Sequence, residues 1–138
     1  MPKITVDEFT SRLAAICLSQ GGSGLPRRHQ DRHILFRSVT LTLDPGRSYS
    51  ESDLNLALTE WLDSIGQAIA IDHVSLRRYL VDEGYLVRDL AGVSYRVGAE
   101  VIAENFEPET NAIDPAAVLA EARRLREERK QQHAANQA

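Results

Sequence analysis

The residues of this 138-residue chain best suited to binding chemistry are arginines. Two of them are adjacent in the segment "HVSLRRYLVDEGYLVRDLAGVSYRV" (residues 73–97), which predicts a short helix followed by two strands. An exposed arginine on such a helix can donate hydrogen bonds to phosphates and base edges of DNA. The candidate DNA-binding residues are Ser75, Arg77, Arg78, Arg88 and Arg96.

A period of 3.6 residues gives the two adjacent arginines different surroundings. With Leu76 in the core, Leu80 and Tyr79 lie beside it, and Arg77 falls between apolar flanks. We therefore expect Arg77 to lay its stem on the core and bond either a carboxylate or a carbonyl at the C-terminus of a helix. The residues predicted to face solvent are Ser75, Arg78 and Asp82. Because Asp82 can pair with Arg78 and would repel phosphate, the helix is poorly equipped to read DNA.

Two histidines, His29 and His33, have the four-residue spacing that places two imidazoles on one helix face, as in many zinc sites. The segment "HQDRH" has Gln where a metalloprotease motif has Glu, and the sequence indicates no third ligand. We predict no metal site and no cofactor.

Four arginines near these histidines form the densest basic cluster of the chain: Arg27, Arg28, Arg32 and Arg37. Such a cluster can bind phosphate or an acidic partner. Asp31 dilutes its charge, and exposed charges need no partner, so we favour a solvated helix face.

The sequence carries none of the common catalytic motifs. A glycine-rich phosphate loop and a nucleophile elbow are absent, and no histidine is placed to activate Cys17. Asp72 and His73 point about 100° apart in a helix, so Asp72 is predicted to be a helix N-cap instead. We predict no enzymatic activity. A third alternative is a small-molecule pocket near three aromatic residues that core packing explains equally well: Trp61, Tyr79 and Tyr85.

The charge balance bears on the nature of a partner. The chain has 16 Lys and Arg against 20 Asp and Glu, a net charge of −4, whereas DNA-binding domains usually carry a basic excess. No run approaches the roughly 18 apolar residues of a membrane helix. The N-terminus lacks a secretory pattern, and the single cysteine cannot form an internal disulfide. We expect a cytoplasmic protein without a membrane partner.

Capping and turn signals divide the chain, which we predict to be one domain, into four segments. They are an N-terminal helix and linker (1–24), a core (25–97), an irregular acidic connector (98–113) and a C-terminal helix and tail (114–138). Thr5 is the expected cap of the first helix, and Pro26 lies in the first turn of the second. Gly84 is expected to end the helix that follows Asp72, and Gly92 lies in the hairpin loop.

Three segments together, "LPRRHQDRHILF", "YSESDLN" (49–55) and "DHVSLRRYLVDEGYLVRD" (72–89), resemble the bacterial domain-of-unknown-function family 2087, over about residues 25–97. The resemblance implies a small winged-helix-like fold. It also implies a link to transcription control, because members are often joined to DNA-binding regulator domains. The segment "WLDSIGQAIAI" lengthens a connection that is short in the family, and the family has no established site residues to transfer.

The C-terminal helix has a short apolar stripe among mixed charges: Val118, Ala122 and Leu125. The stripe spans about two turns, too few for a coiled coil alone. One interpretation is a solvated appendage, and the alternative is that the stripe, with the N-terminal helix alongside, forms a homodimer interface.

Taken together, the patterns and the resemblance predict a mainly helical α+β fold. Its core is winged-helix-like, with a small β-hairpin wing, and extra N- and C-terminal helices flank it. The predicted function is a non-enzymatic bacterial regulatory module, associated with transcription, that acts through protein contacts. The alternative is direct DNA binding through the residue 72–84 helix and the wing.

Overall fold

The computed structural model describes residues 2–19, 24–89, 91 and 93–137. The α-helices in this part of the chain are α1 (Val6–Cys17), α2 (His29–Thr40), α3 (Glu51–Asp63), α4 (His73–Asp82), α5 (Ala99–Asn105) and α6 (Pro115–Asn136). A 3₁₀ helix spans Pro108–Ala112, and the strands are β1 (Tyr49–Ser50), β2 (Leu86–Arg88) and β3 (Ser94–Val97). The predicted mainly helical α+β class is confirmed. No described helix has both the length and the apolar character that a bilayer crossing requires.

The three strands form one antiparallel sheet with β3 in the middle. β2 and β3 make the predicted hairpin, in which Leu86 pairs with Val97. At the other edge Tyr49 of β1 pairs with Tyr95 of β3. Because β1 leads directly into α3, this pairing ties the hairpin to the helices. The predicted loop residue Gly92 lies outside the described residues.

The core forms because apolar residues recur at helical spacing on the inner faces of the helices. On α3 and α4 the buried residues are Leu54, Leu58, Trp61, Leu76 and Leu80. Trp61 is 1% exposed, and its indole Nε1–H donates to Ser38 Oγ at 3.2 Å. The polar atom of this large side chain is therefore satisfied inside the core.

Side-chain caps fix the start of several helices. Thr5, Ser50 and Asp114 each accept a hydrogen bond from a first-turn backbone N–H, at 3.0 to 3.1 Å. The second helix differs from the prediction, because α2 begins at His29 and not near Pro26. The Pro26 carbonyl instead accepts a hydrogen bond from the Arg32 side chain at 2.8 Å, outside any helical ladder.

The predicted irregular connector over residues 98–113 is replaced by α5 and the 3₁₀ helix. Ile102 and Phe106, four residues apart, are 8% and 2% exposed and face the core. The N-terminal chain secures this segment, because Ile4 forms a parallel bridge with Phe106. The four glutamates led to the prediction of an irregular segment, although Ile102 and Phe106 have the spacing of one helix face.

The two flanking helices, α1 and α6, pack against each other. Leu119, which the predicted stripe of α6 did not include, is 1% exposed and belongs to the core. Val118 and Ala122 are half-buried, and every described residue beyond Ala122 is exposed. The first two turns of α6 thus belong to the body of the molecule, and the rest of the helix is solvated.

Candidate functional site

α4 presents most of the predicted binding residues and is fixed at both ends. Asp72 Oδ1 accepts a hydrogen bond from the Ser75 N–H at 2.7 Å, and this bond holds the pKa of Asp72 below its usual value. After the helix, Gly84 has a φ of 83°, a left-handed conformation that favours glycine. The predicted N-cap and terminal glycine are both confirmed.

Arg77 is engaged within the molecule, as the sequence predicted. Its Nη1 donates to Asn55 Oδ1 at 2.7 Å and lies 3.1 Å from Glu51 Oε1, and its side chain is 18% exposed. The guanidinium therefore links α4 to the start of α3. It would have to give up both contacts to reach a DNA groove.

The exposed side of α4 differs in part from the prediction. Arg78 and Asp82 are exposed as expected, whereas Ser75 is half-buried. Tyr79 was expected beside Leu76 on the buried side, but it is 38% exposed. The Arg32 guanidinium lies 5.9 Å from the centre of its ring, so the aromatic face covers a cation from α2 at the surface.

The hairpin separates its two arginines. In the register of β2 and β3, Arg88 pairs with Tyr95 and Val87 pairs with Arg96. Paired residues project from the same face of a sheet, and successive residues project from opposite faces. Arg88 thus shares a face with Tyr95, and Arg96 projects from the other face. The structure brings Arg88 toward α4 and leaves Arg96 apart.

A shallow groove of about 200 Å³ lies between α4 and the hairpin. Its lining combines apolar side chains with charges of both signs: Val74, Arg77, Arg78, Val81, Asp82, Arg88 and Tyr95. Val74 is 45% exposed at its edge. The groove therefore has apolar side chains between charged ones.

The two histidines do lie together on one face of α2, with ring centres 4.4 Å apart. The fold adds a residue that the sequence did not indicate, because ligand atoms of His29, His33 and Glu83 lie within 4.8 Å of one another. These are ligand types that Zn²⁺ takes. In the described residues no second observation points to an ion there, and the absence of a metal site remains a prediction.

Two of the three residues named for the alternative aromatic pocket belong to the core. Trp61 is 1% exposed and Tyr85 is fully buried. Burial raises the pKa of Tyr85 well above its usual value, mainly through desolvation, and its hydroxyl lies 2.5 Å from His33 Nδ1. Core packing accounts for both residues.

The position of Arg37 differs from the prediction. Arg37 was expected on a solvated helix face, but it is 6% exposed and lies in the wall of a cavity of about 400 Å³ between α2 and α5. Arg27 and Arg28 are exposed, so the predicted basic cluster is divided. The available signal was the run "ILFRSVTL", in which apolar neighbours surround the charge on nearly every side of the helix.

Comparison with known proteins identifies one family. The model of a bacterial family described as "Uncharacterized protein conserved in bacteria" matches residues 23–97. The match covers more than half of the chain and contains the groove between α4 and the hairpin, whereas α1, α5 and α6 lie outside it. No curated protein and no solved structure matches the chain.

Proposed function

The chain belongs to the bacterial family DUF2087, and on this basis we propose that it is a non-enzymatic regulatory module that binds a partner protein. The proposed contact is the α4–hairpin face, which we define by its exposed side chains: Val74, Arg78, Tyr79, Asp82 and Arg88. We propose that it acts in the cytoplasm in association with transcription. A single buried cysteine, Cys17, is compatible with a reducing compartment.

The order of the elements supports a winged-helix-like arrangement. α2, β1, α3, α4, β2 and β3 follow one another as three helices with an early strand and a final hairpin. In DNA-binding proteins of the related helix-turn-helix type, a recognition helix contacts the partner, and α4 has the corresponding place in the element order. Here α1 and α6 pack together, and neither contributes to the groove beside α4, so these two helices leave the proposed face uncovered in the part of the chain that the structure describes.

The observation that carries the proposal is the mixed lining of that groove. Valine and tyrosine side chains lie beside both arginine and aspartate, and protein interfaces combine an apolar centre with a polar rim and are enriched in aromatic residues and arginine. The fitting partner presents an apolar side chain to Val74 and Val81 and a carboxylate to Arg78. Because Asp82 would repel the carboxylate of the partner, Arg78 must lie between these two negative groups.

Direct DNA binding is the second candidate, and the proximity of Arg78 to Arg88 in the groove favours it. Three features oppose it. Arg77 is held by α3, Arg96 projects from the other sheet face, and the net charge is −4. DNA affinity depends on several basic groups that neutralise phosphates together.

The test uses the full chain immobilised for capture from an extract of the bacterium that encodes it. We expect the wild type to retain a specific protein. Val74→Glu or Arg78→Glu should lower the affinity for this protein about tenfold, a loss of about 1.4 kcal/mol in binding free energy. Leu56→Glu is the matched control, because Leu56 is 66% exposed on α3 and lies outside the groove. That variant should retain the partner.

The same variants are titrated with mixed DNA fragments at increasing salt concentration. Binding to DNA that falls steeply with salt and is lost in Arg78→Glu would establish the second candidate instead. Retention of the same proteins by the wild type and by both groove variants would overturn the proposal of a protein-binding face.

A further inference from the structure

Among the described residues, Arg37 is a buried cation without a countercharge. Its Nη1 donates to Thr40 Oγ1 at 3.1 Å, its Nη2 donates to Asn111 Oδ1 at 2.6 Å, and its Nε has no acceptor in the described part of the chain. Both acceptors are neutral, and none of the ion pairs among the described residues includes Arg37. Neutral acceptors offset only part of the free-energy cost of removing a guanidinium from water.

The cavity beside Arg37 is positively charged although the protein is acidic. Lys3 is the other charged residue in its lining, and none of the four glutamates of residues 98–113 lines it. Most of the remaining wall is apolar, with Leu41, Ile102 and Phe106 among its residues. The cavity thus joins a cationic end to a hydrocarbon surface.

The cavity is assembled from parts of the chain that are distant in sequence. The Ile4 N–H donates to the Asn105 carbonyl at 2.8 Å, and the Glu107 N–H donates to the Ile4 carbonyl at 2.9 Å. These bonds hold Lys3 beside α5. One wall comes from α2, inside the family match, and the other comes from α5 and the 3₁₀ helix, outside it. A bound molecule would contact both.

We propose that this cavity binds a small monocarboxylate with a hydrocarbon body. The carboxylate lies against the guanidinium of Arg37, with Lys3 at the entrance, and the hydrocarbon body packs on Ile102 and Phe106. Arginine pairs strongly with carboxylates, and about 400 Å³ lies within the range of about 300 to 1,000 Å³ of small-molecule sites. The apolar wall favours a ligand with one negative charge over inorganic phosphate.

The test titrates the full chain with three probes: hexanoate, its neutral analogue hexanamide, and inorganic phosphate. We expect saturable binding of hexanoate by calorimetry, with a concentration-dependent rise in Tm. The backbone NMR signals of Thr40, Ile102 and Phe106 should shift, and that of Val93 should not. Hexanamide and phosphate should bind at least about tenfold more weakly, because hexanamide lacks the negative charge and phosphate lacks the hydrocarbon body.

Variants locate the binding. Arg37→Met should weaken hexanoate binding about tenfold or more, and a hydrophobic residue in place of an uncompensated charge is expected to keep the fold. Lys3→Gln, at an exposed position, should weaken binding about two- to fivefold. Lys130→Gln, on the exposed part of α6, is the matched control and should bind as the wild type does.

Several results would overturn the proposal. They are the absence of saturable hexanoate binding up to roughly 10 mM, equal binding of hexanamide, stronger binding of phosphate, or unchanged affinity in Arg37→Met. If Arg37→Met does not fold, the Lys3→Gln variant and the comparison of hexanoate with hexanamide decide the question.

Discussion

His33 is half-buried between groups that come from different parts of the chain. Its Nδ1 lies 2.5 Å from the Tyr85 hydroxyl, and His29 lies beside its ring. Desolvation is the main cause that lowers the pKa of His33, and repulsion from His29 lowers it further. Glu83 offsets part of this effect. The folded protein therefore disfavours the protonated imidazole more than the unfolded chain does.

At this residue scale we predict that acidification destabilises the protein through His33. Between the lowered pKa of the folded state and the ordinary value of about 6.5, the unfolded chain binds more protons. The contribution of His33 is therefore fully present above about pH 6.5 and is lost as the pH falls through the lowered value. Urea unfolding at pH 8 and pH 5 should show a larger loss of unfolding free energy in the wild type than in His33→Gln. An equal loss in both proteins would contradict this assignment.

At the scale of elements, the junction between β3 and α5 depends on a close approach of two backbone segments. The Gly98 N–H donates to the Tyr85 carbonyl at 2.8 Å. A Cβ added at Gly98 would lie 1.8 Å from the Gly84 carbonyl oxygen. The end of α4 and the start of α5 can therefore meet only if residue 98 has no side chain.

We predict that Gly98→Ala destabilises the fold by about 1 to 3 kcal/mol, the usual cost of overpacking. Gly46→Ala is the matched control, because a Cβ there meets only Asp44 Oδ1 at 3.6 Å in an exposed turn, and we expect a change within about 0.5 kcal/mol. Chemical denaturation followed by circular dichroism measures both. Equal stability of the two variants would show that the junction relaxes without cost.

At the scale of the whole molecule, a groove of about 750 Å³ remains open between α1 and α6. Small side chains line much of it, including Ala14, Ala15 and Ala122, and they allow close approach of another helix. Leu125, on the predicted dimer stripe, is 39% exposed at this groove. The homodimer therefore stays a proposal. In it, a second copy of the chain packs against the part of α6 that its own chain leaves exposed.

We predict that the mass measured by sedimentation rises from one to two chains as the protein concentration increases. Leu125→Glu should weaken association about tenfold, because it introduces a charge where apolar contact is proposed. Leu56→Glu adds the same charge at an exposed site outside this groove and should associate as the wild type does. A monomeric wild type at all concentrations would rule out the dimer.

The sequence by itself determined most of the local structure. Capping at Thr5 and Asp72, the left-handed conformation at Gly84 and the strands of the hairpin depend on neighbouring residues. Composition and spacing therefore suffice to predict them. The internal role of Arg77 also followed from helical periodicity, because its flanks were apolar on both sides.

Only the tertiary structure decided which residues meet across the chain. α5 was missed because the helical spacing of Ile102 and Phe106 identifies a core-facing stripe only when Ile4 and the core lie beside them. The burial of Arg37 and its contact with Asn111, 74 residues away, could not be read from spacing. Burial is a property of all the elements packed around a side chain, whereas a sequence pattern reports only the element that carries it.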